Sequence, residues 1–306
     1  GKGGAGGSGG AGAAAQTTSS GVGGEGGAFP MGHPCIANGR DGVCVEASTC
    51  IYDDWAPVPG FCPGPASIQC CAPLPADGTC DPDAHPLVNA GISEPAGLGG
   101  CPPGMTRVAS FCIDRYEAFL ETTDGAPVSP YFFPDDALPI VARSAPGAVP
   151  QGYINQVRAE EACLFAGKRL CTDTEWLRAC RGPMNQTYPY GNTLELGRCN
   201  DHRSQHPAVE YFMTTDPWIY SELDQPCLNQ LAEGLASSGA FAMCQSAEGT
   251  FDMMGNLHEW TADPAGTFRG GFYVDTTFNG SGCGYATTAH DVYHYDYSTG
   301  FRCCAD

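Results

Sequence analysis

Apolar and polar positions along the chain predict two helices and a few short strands. In the first helix, Asn155 can cap the amino end, and Gly167 can take the left-handed conformation that stops the helix. The second helix begins at residues 172–175, Thr-Asp-Thr-Glu, a capping box ahead of an apolar run. Both helices are predicted to be amphipathic. Aromatic residues, glycine and threonine dominate elsewhere, where segments 268–274 and 300–304 are the clearest predicted strands.

The composition favours a loop-rich, exported protein. With 42 glycines, 25 prolines and only 16% charged residues, the chain is not a helical bundle. Its 18 cysteines fit an oxidising compartment, so we expect it to be secreted or on the cell surface. A formal charge of −20 excludes a nucleic-acid binder, which needs a basic face. No apolar run could span a membrane, and the missing methionine suggests a removed leader or a numbered fragment.

Changes in composition predict four regions. Residues 1–28 are almost all Gly, Ala, Ser and Thr, which favours a flexible tether or a segment that becomes ordered by self-assembly of many copies. Residues 29–72 form a six-cysteine module, and 73–100 a linker rich in Pro, Gly and Ala. Residues 101–306 are long enough for a core of their own.

The six-cysteine module is too short to be stabilised by burial, so disulfides are expected to hold it. A zinc site is the alternative, although an adjacent Cys-Cys pair and the lack of C-x2-C spacing suit disulfides better. The sequence alone does not choose a connectivity. The spacing resembles that of the clip-type six-cysteine domain, which implies these pairs: Cys35 with Cys70, Cys44 with Cys62, and Cys50 with Cys71.

Motifs in the large region follow the order of one family. They are FCIDRYEAF (111–119), RAEEACLFAGKRLCTDTEWLRACRG (158–182), YPYGN (188–192), FDMMGNLHEW (251–260), FRGGFY (268–273) and GFRCC (300–304). The region resembles the formylglycine-generating enzyme, or sulfatase-modifying factor, family. The resemblance implies an α+β fold: a loop-rich, C-type-lectin-like domain with few helices and short strands, here beside a small disulfide-rich module.

The resemblance also implies calcium as a cofactor. The stretch DMMGNLHE matches the family's second calcium loop, so the implied ligands are the side chains of Asp252 and Glu259 and the carbonyls of Gly255 and Leu257. Oxygen ligands on a tight glycine turn suit a hard cation. A metal-free turn closed by the two carboxylates is the alternative. Asn200 matches the family's first calcium loop.

The remaining cysteines have pairings implied by the same resemblance and by close relatives, with one pair left by subtraction. The family implies Cys163 with Cys303 and Cys180 with Cys283, and close relatives suggest Cys199 with Cys244. Cys171 stands where the family usually has proline, and Cys304 is an extra thiol beside Cys303, so these two are expected to form a third bridge across the same contact. Cys101 with Cys112 closes a local loop. Cys80 with Cys227 is the pair that remains.

The thiols that the family's oxidase chemistry requires are missing. The family binds copper(I) through two cysteines that follow the GGSY strand, because copper(I) prefers sulfur ligands. Counted from Gly270, those positions hold Asp275 and Gly280, and the neighbouring serine is Phe272. Cys283 is close, but one thiol cannot replace two. We therefore expect no catalytic residues for formylglycine generation.

A non-thiolate metal site is the other catalytic possibility. His290, His294 and Asp296 read H-x3-H-x-D, close to a two-histidine, one-carboxylate triad. The segment is expected to be a loop, whereas this spacing aligns ligands on a helix. His202 and His206 repeat the histidine spacing ahead of a proline.

Two functions follow. The first is a non-catalytic binding or structural protein of fibres or surface assemblies, with residues 285–297 as an aromatic recognition surface for a glycan, wall or protein ligand. For that segment, packing of its aromatic residues into the core around the GFR motif is the alternative. The alternative is an oxygen-dependent metallo-oxidase that uses the histidine triad.

Overall fold

The computed structural model describes residues 32–37, 40–50, 55–58, 62–63, 65, 67–73 and 80–306. The Gly-rich segment 1–28, predicted to be a tether or an assembly element, lies outside the described residues. Within the described part of the chain, no helix is long and apolar enough to cross a membrane.

The six-cysteine region contains a small antiparallel sheet. Its strands are β1 (Pro34–Ala37), β2 (Arg40–Glu46), β3 (Trp55–Val58) and β4 (Ile68–Pro73), in the spatial order β1-β2-β4-β3, with a 3-10 turn at Ala47–Thr49. Three disulfides cross it: Cys35–Cys70, Cys44–Cys62 and Cys50–Cys71. These pairs are the ones that the clip-type resemblance implies, and they leave none of these thiolates for zinc.

The large region is built from short strands and few helices. The strands are β5 (Met105–Val108), β6 (Phe111–Asp114), β7 (Phe119–Thr122), β8 (Ile140–Arg143), β9 (Arg169–Leu170), β10 (His258–Trp260), β11 (Phe268–Arg269), β12 (Ala286–Thr287), β13 (Thr299–Phe301) and β14 (Cys303–Ala305). The α-helices are α1 (Gln156–Phe165), α2 (Asp173–Arg181) and α3 (Pro207–Phe212). Further 3-10 turns lie at Pro217–Ser221, Leu228–Gln230 and Gly282–Gly284.

Two four-stranded sheets position the loops that matter for function. One has the order β5-β6-β14-β9 and is antiparallel, and the other has the order β12-β11-β10-β13, in which β10 and β13 run parallel. Strands β7 and β8 form a separate pair. The main core lies where α1 meets β8 and Trp260 of β10, so the loop ahead of β10 leads directly into the core.

The predicted helix ends agree with the structure. Asn155 accepts a hydrogen bond from the Arg158 amide, Gly167 has φ of +69°, and the capping box between Thr172 and Glu175 is complete. Helix α3 was not predicted. It begins at Pro207, whose fixed φ suits the first turn, and the His206 side chain caps it.

The prediction that α1 is amphipathic is wrong. Its buried side includes Gln156 and Arg158, while Val157, Leu164 and Phe165 are exposed. Arg158 can be buried because its guanidinium donates to the carbonyls of residues 135 and 138. On the buried side of α1, hydrogen bonds to Arg158 thus take the place of apolar packing. The spacing of apolar residues in the sequence does not reveal such polar partners.

The two predicted strands are shorter than expected. In segment 268–274, only Phe268 and Arg269 are extended, because Gly270 and Gly271 take φ of +86° and +70°. Segment 300–304 contributes to β13 and β14, which are separated at the buried Arg302. At this break the Arg302 guanidinium points toward the buried carboxylate of Glu259, which is part of the site described below.

All nine disulfides are formed, and no cysteine among the described residues is free. In the large region the pairs are Cys163–Cys303, Cys171–Cys304, Cys180–Cys283, Cys199–Cys244, Cys101–Cys112 and Cys80–Cys227, which are the pairings given above. The segment preceding residue 101 also contacts this region. Asn89 bonds Val149, and Glu94 forms an ion pair with Lys168.

Candidate functional site

The implied calcium loop is a tight turn that enters β10. Asp252, Gly255 and Asn256 have φ of +57°, +78° and +58°, so the backbone reverses direction over a few residues. A side chain at Gly255 would lie 2.1 Å from the Asn200 carbonyl oxygen. Glycine is therefore required both for its left-handed conformation and for the close approach of Asn200. The loop brings together residues of the two implied calcium sites.

The carboxylate of Glu259 is fully buried and held from two sides. Arg302 donates to both of its oxygens at 2.6 Å, and Trp176 Nε1 donates at 2.7 Å. The other implied side-chain ligand, Asp252, accepts from the Gly239 amide at 2.6 Å. Both carboxylates are thus oriented by neighbouring groups.

Sequence reasoning missed a third carboxylate, that of Glu117. It is fully buried and accepts from the Asn256 side chain at 2.5 Å and from the Leu257 amide at 3.1 Å. Burial, and then the charges of Asp252 and Glu259, raise the pKa of Glu117 well above its usual value. Its position in the motif FCIDRYEAF was the available signal, but that motif was used only for recognition.

The Arg302 guanidinium pairs with Glu259 and lies within electrostatic range of the other two carboxylates, those of Glu117 and Asp252. Burial raises the pKa of Asp252 to about 7, because the Gly239 hydrogen bond and the charge of Arg302 compensate only in part. Fully ionised, Glu117, Asp252 and Glu259 with Arg302 would carry an excess of two negative charges in a buried region. Oxygen donors with excess negative charge fit a divalent hard cation, whereas a soft metal would prefer sulfur or nitrogen.

Asp275 and Gly280, which stand at the implied thiol positions, have structural roles of their own. Asp275 Oδ1 accepts from the amides of Thr277 and Phe278, both at 2.9 Å, and so closes its own turn. Gly280 has φ of +112°, and a side chain there would lie 2.7 Å from the Gly284 carbonyl oxygen. Cys283 is bonded to Cys180.

A buried histidine, His258, lies at the centre of a hydrogen-bond chain beside this loop. Its Nδ1 is 3.1 Å from Ser298 Oγ, and its Nε2 is 3.2 Å from the Tyr285 hydroxyl. Since Ser298 Oγ donates to Asp296 Oδ1 at 2.7 Å, His258 Nδ1 must carry the proton, and Tyr285 must donate to Nε2. Asn279 in turn donates to the Tyr285 oxygen at 3.1 Å. All of these donors point toward Asp296.

The charges in this chain follow from burial. Desolvation lowers the pKa of His258 to about 4 and raises the pKa of Tyr285 to about 12, so both are neutral at physiological pH. Burial opposes ionisation of Asp296, but bonds from His294 and Ser298 outweigh it and lower its pKa. Asp296 is therefore the single buried anion of this hydrogen-bond chain.

The predicted histidine triad is only partly assembled. His294 Nε2 is 3.1 Å from Asp296 Oδ2, and the His290 ring stacks on His294 at a centroid distance of 3.7 Å. In the described part of the chain, the only group of three potential ligand atoms within 4.8 Å of one another is that of Cys35, Cys62 and Cys70, which are disulfide-bonded.

His202 and His206 also have separate surroundings. His206 caps α3 and bonds the Tyr297 hydroxyl at 2.9 Å, whereas His202 is largely exposed beside Asp201. Each histidine has a structural neighbour of its own, so the spacing does not correspond to a shared site.

Comparison with known proteins identifies the scaffold. The sulfatase-modifying factor enzyme 1-like domain matches residues 98–306, which include the implied calcium loop and the loop of Asp275 and Gly280. The chain belongs to this family. Inactive C-alpha-formylglycine-generating enzyme 2 of Mus musculus is 31% identical over 136 residues, covering 42% of this chain and 39% of the relative. The formylglycine-generating enzyme of Mus musculus is 28% identical over 173 residues, covering 47% and 41%.

The chain thus spans about two fifths of the length of these curated relatives of the family. Among solved structures, PvdO from Pseudomonas aeruginosa has a TM-score of 0.40 at 15% identity, with 64% of this chain and 80% of that chain covered. The Major Tropism Determinant P3c variant has a TM-score of 0.37 at 18% identity, with 68% and 53% covered.

Proposed function

We propose that this protein is a secreted binding or structural protein, stabilised by calcium and disulfides, on the sulfatase-modifying factor scaffold but without its oxidase chemistry. The observation that carries the proposal is the identity of Asp275 and Gly280, which stand where the family resemblance, counted from Gly270, places the two copper-binding thiols. Copper(I) needs soft ligands, and a carboxylate and a hydrogen atom supply none. The mouse relative whose name calls it inactive is a precedent within the family.

The backbone around Gly280 supports the absence of a copper site, because a cysteine side chain does not fit there. A cysteine there would have to adopt a left-handed conformation and collide with the Gly284 carbonyl. Phe272, in the place of the family's serine, packs against His258 with ring centroids 4.9 Å apart. Phe272 therefore presents an aromatic ring where the family resemblance places a hydroxyl.

The proposed location outside the cell rests on the disulfides. Nine disulfides in one chain fit an oxidising environment and would be at risk in a reducing one. The buried carboxylate excess around Arg302 supports calcium as the stabilising cation, with Asp252 and Glu259 as side-chain ligands and Asn200 beside them.

The surface of residues 285–297 supports a recognition role. This aromatic loop carries Tyr293, which is 69% exposed, and it is anchored at both ends through Tyr285 and Asp296. A rigid loop that presents aromatic groups costs little entropy on binding a glycan, wall or protein ligand. Self-assembly through residues 1–28 is a separate part of the proposal, and it is tested by comparing the solution size of the chain with and without that segment.

Two measurements test the loss of oxidase chemistry. The purified protein is incubated with copper(I), oxygen and a cysteine-containing sulfatase-type peptide, and peptide mass is followed beside an active formylglycine-generating enzyme. We expect no conversion by this protein. Elemental analysis should find calcium without stoichiometric copper or iron. Peptide oxidation with one bound iron or copper per chain would instead favour the metallo-oxidase that uses His290, His294 and Asp296.

A further inference from the structure

A small cavity opens at the end of the aromatic loop, where His294, Tyr295 and Asp296 lie. Its volume is about 250 Å³, which suits a side chain or another small group, not a large cofactor. The 3-10 turn Pro217–Ser221 forms one side, and the end of loop 285–297 forms the other. The residues that line it and matter here are Tyr220, Leu223, Asp224, His294, Tyr295 and Asp296.

The aromatic walls of this cavity are held in place before any ligand arrives. Tyr220 lies edge-on to the His206 ring, with centroids 5.5 Å apart, and His206 is fixed by its bond to Tyr297. Tyr295 packs on Phe133 with centroids 4.3 Å apart. Tyr220 is still 52% exposed. A fixed yet accessible tyrosine ring offers a π-face at little entropic cost.

The charge of the cavity is negative. Asp224 is exposed and Asp296 is buried, and no Lys or Arg is among the described residues that line the cavity. Asp296 receives three hydrogen bonds, two from Ser298 and one from His294, which leaves room on the carboxylate for a further donor. Burial raises the pKa of the Tyr153 hydroxyl, and the charges of both carboxylates add to that rise, so both lie within electrostatic range of this hydroxyl.

We propose that this cavity binds a primary ammonium group of the kind that a lysine side chain of a partner protein presents. This inference rests on the proposed binding function and names the chemistry of one part of its surface. The ammonium would lie between the two carboxylates with its methylene stem along Tyr220 and Leu223. An ammonium satisfies carboxylates by donating hydrogen bonds, and aromatic rings attract cations. The net charge of −20 would draw such partners over longer distances.

The test uses two neutral-backbone probes that differ in charge. Binding of Nα-acetyl-lysine methylamide and of its uncharged analogue Nα-acetyl-norleucine methylamide to the full chain is followed by calorimetry and chemical-shift perturbation at low salt. We expect the lysine probe to bind at least 5-fold more tightly. Because the interaction is ionic, added salt should weaken it. Equal binding of the two probes would overturn the proposal.

Variants locate the site. Asp224→Asn should weaken lysine-probe binding about 5-fold, and Tyr220→Ala by a similar factor. Glu222→Gln is the matched control. It also removes one negative charge, but Glu222 lies two residues from Asp224 and does not line the cavity. Asp224 is exposed, so its variant should fold normally. If Glu222→Gln weakens binding as much as Asp224→Asn, only the net charge matters and the proposal fails.

A neutral sugar, methyl N-acetylglucosaminide, distinguishes the other ligand class. Binding of this sugar with loss in Asp224→Asn, without binding of lysine, would overturn the ammonium assignment but leave the non-catalytic binding function intact. Peptide oxidation in the assay above would overturn the binding function itself. The two failures are therefore distinguishable.

Discussion

Two buried clusters of charged and polar residues meet at neighbouring positions of β10, Glu259 and His258, and they compensate buried charge in different ways. Around Arg302, three carboxylates share one guanidinium, and the burial of their charges is only partly compensated. Around His258, one anion, Asp296, is served by a chain of aligned neutral donors. The first cluster has excess negative charge that a cation or a proton would balance, whereas in the second the protein's own donors hold the single anion and leave room for one further donor.

Because of this difference, the stability contributed by the first cluster should depend on calcium and pH, whereas that of the second should not. A cluster with excess negative charge couples folding to calcium and to pH, because either a cation or a proton relieves the repulsion. A cluster with one anion and matched donors contributes to stability through its hydrogen bonds alone. The following predictions test this contrast.

The largest effect is expected for Arg302→Leu. Removing the cation of this cluster would leave Glu117, Asp252 and Glu259 without compensation, which typically costs about 4 kcal/mol and lowers Tm by about 10 °C in a domain of this size. Calorimetry in chelator should record it. The control is Arg143→Leu, since Arg143 is partly exposed and pairs with Glu94 at the surface. Similar losses in both variants would mean that burial of the carboxylates is unimportant.

Calcium should have the next largest effect. At a free concentration of about 100 times Kd, binding to the folded state alone stabilises by about 2.7 kcal/mol, so Tm should rise by about 7 °C over the value in chelator. Glu259→Ala should abolish the rise, and magnesium should replace calcium poorly because it demands tighter octahedral geometry. An unchanged Tm in calcium and in chelator would identify the loop as a metal-free turn.

The pH dependence should differ between the calcium and chelator conditions. The pKa of Asp252 is raised from 3.8 to about 7 in the folded protein, so the stabilising effect of its bound proton is full below pH 4 and is lost as pH rises to about 7. In chelator, Tm should therefore fall by about 5 °C over this interval relative to Asp252→Asn. Calcium should suppress the fall. A Tm that rises with pH equally in both proteins would contradict this assignment.

The smallest effect is expected in the His258 chain. Tyr285→Phe removes one hydroxyl that joins His258 and Asn279, which should cost about 1 kcal/mol and lower Tm by about 3 °C. The loss should be the same with calcium and with chelator. Tyr293→Phe removes the same hydroxyl from an exposed ring and should change Tm little. A calcium-dependent loss in Tyr285→Phe would show that the two clusters are coupled.

Local signals predicted local structure well. The cap at Asn155, the stop at Gly167 and the capping box at Thr172 depend on neighbouring residues, and each is present. Predictions that depended on periodicity were weaker. Helix α1 buries Arg158 and exposes Leu164, because distant carbonyls satisfy the guanidinium. Segment 268–274 ends as a strand after Arg269 because two glycines turn the chain.

The sequence by itself determined the family, the cysteine pairs implied by it, and the loss of the thiols at Asp275 and Gly280. These properties reside in residue identity and order. Only the tertiary structure showed that Glu117 lies in the same buried cluster as Asp252 and Glu259. Only the tertiary structure showed that hydrogen bonds through Ser298 connect His258 to Asp296. Those groups are far apart in the chain, and the effect of a buried charge depends on which distant groups surround it after folding.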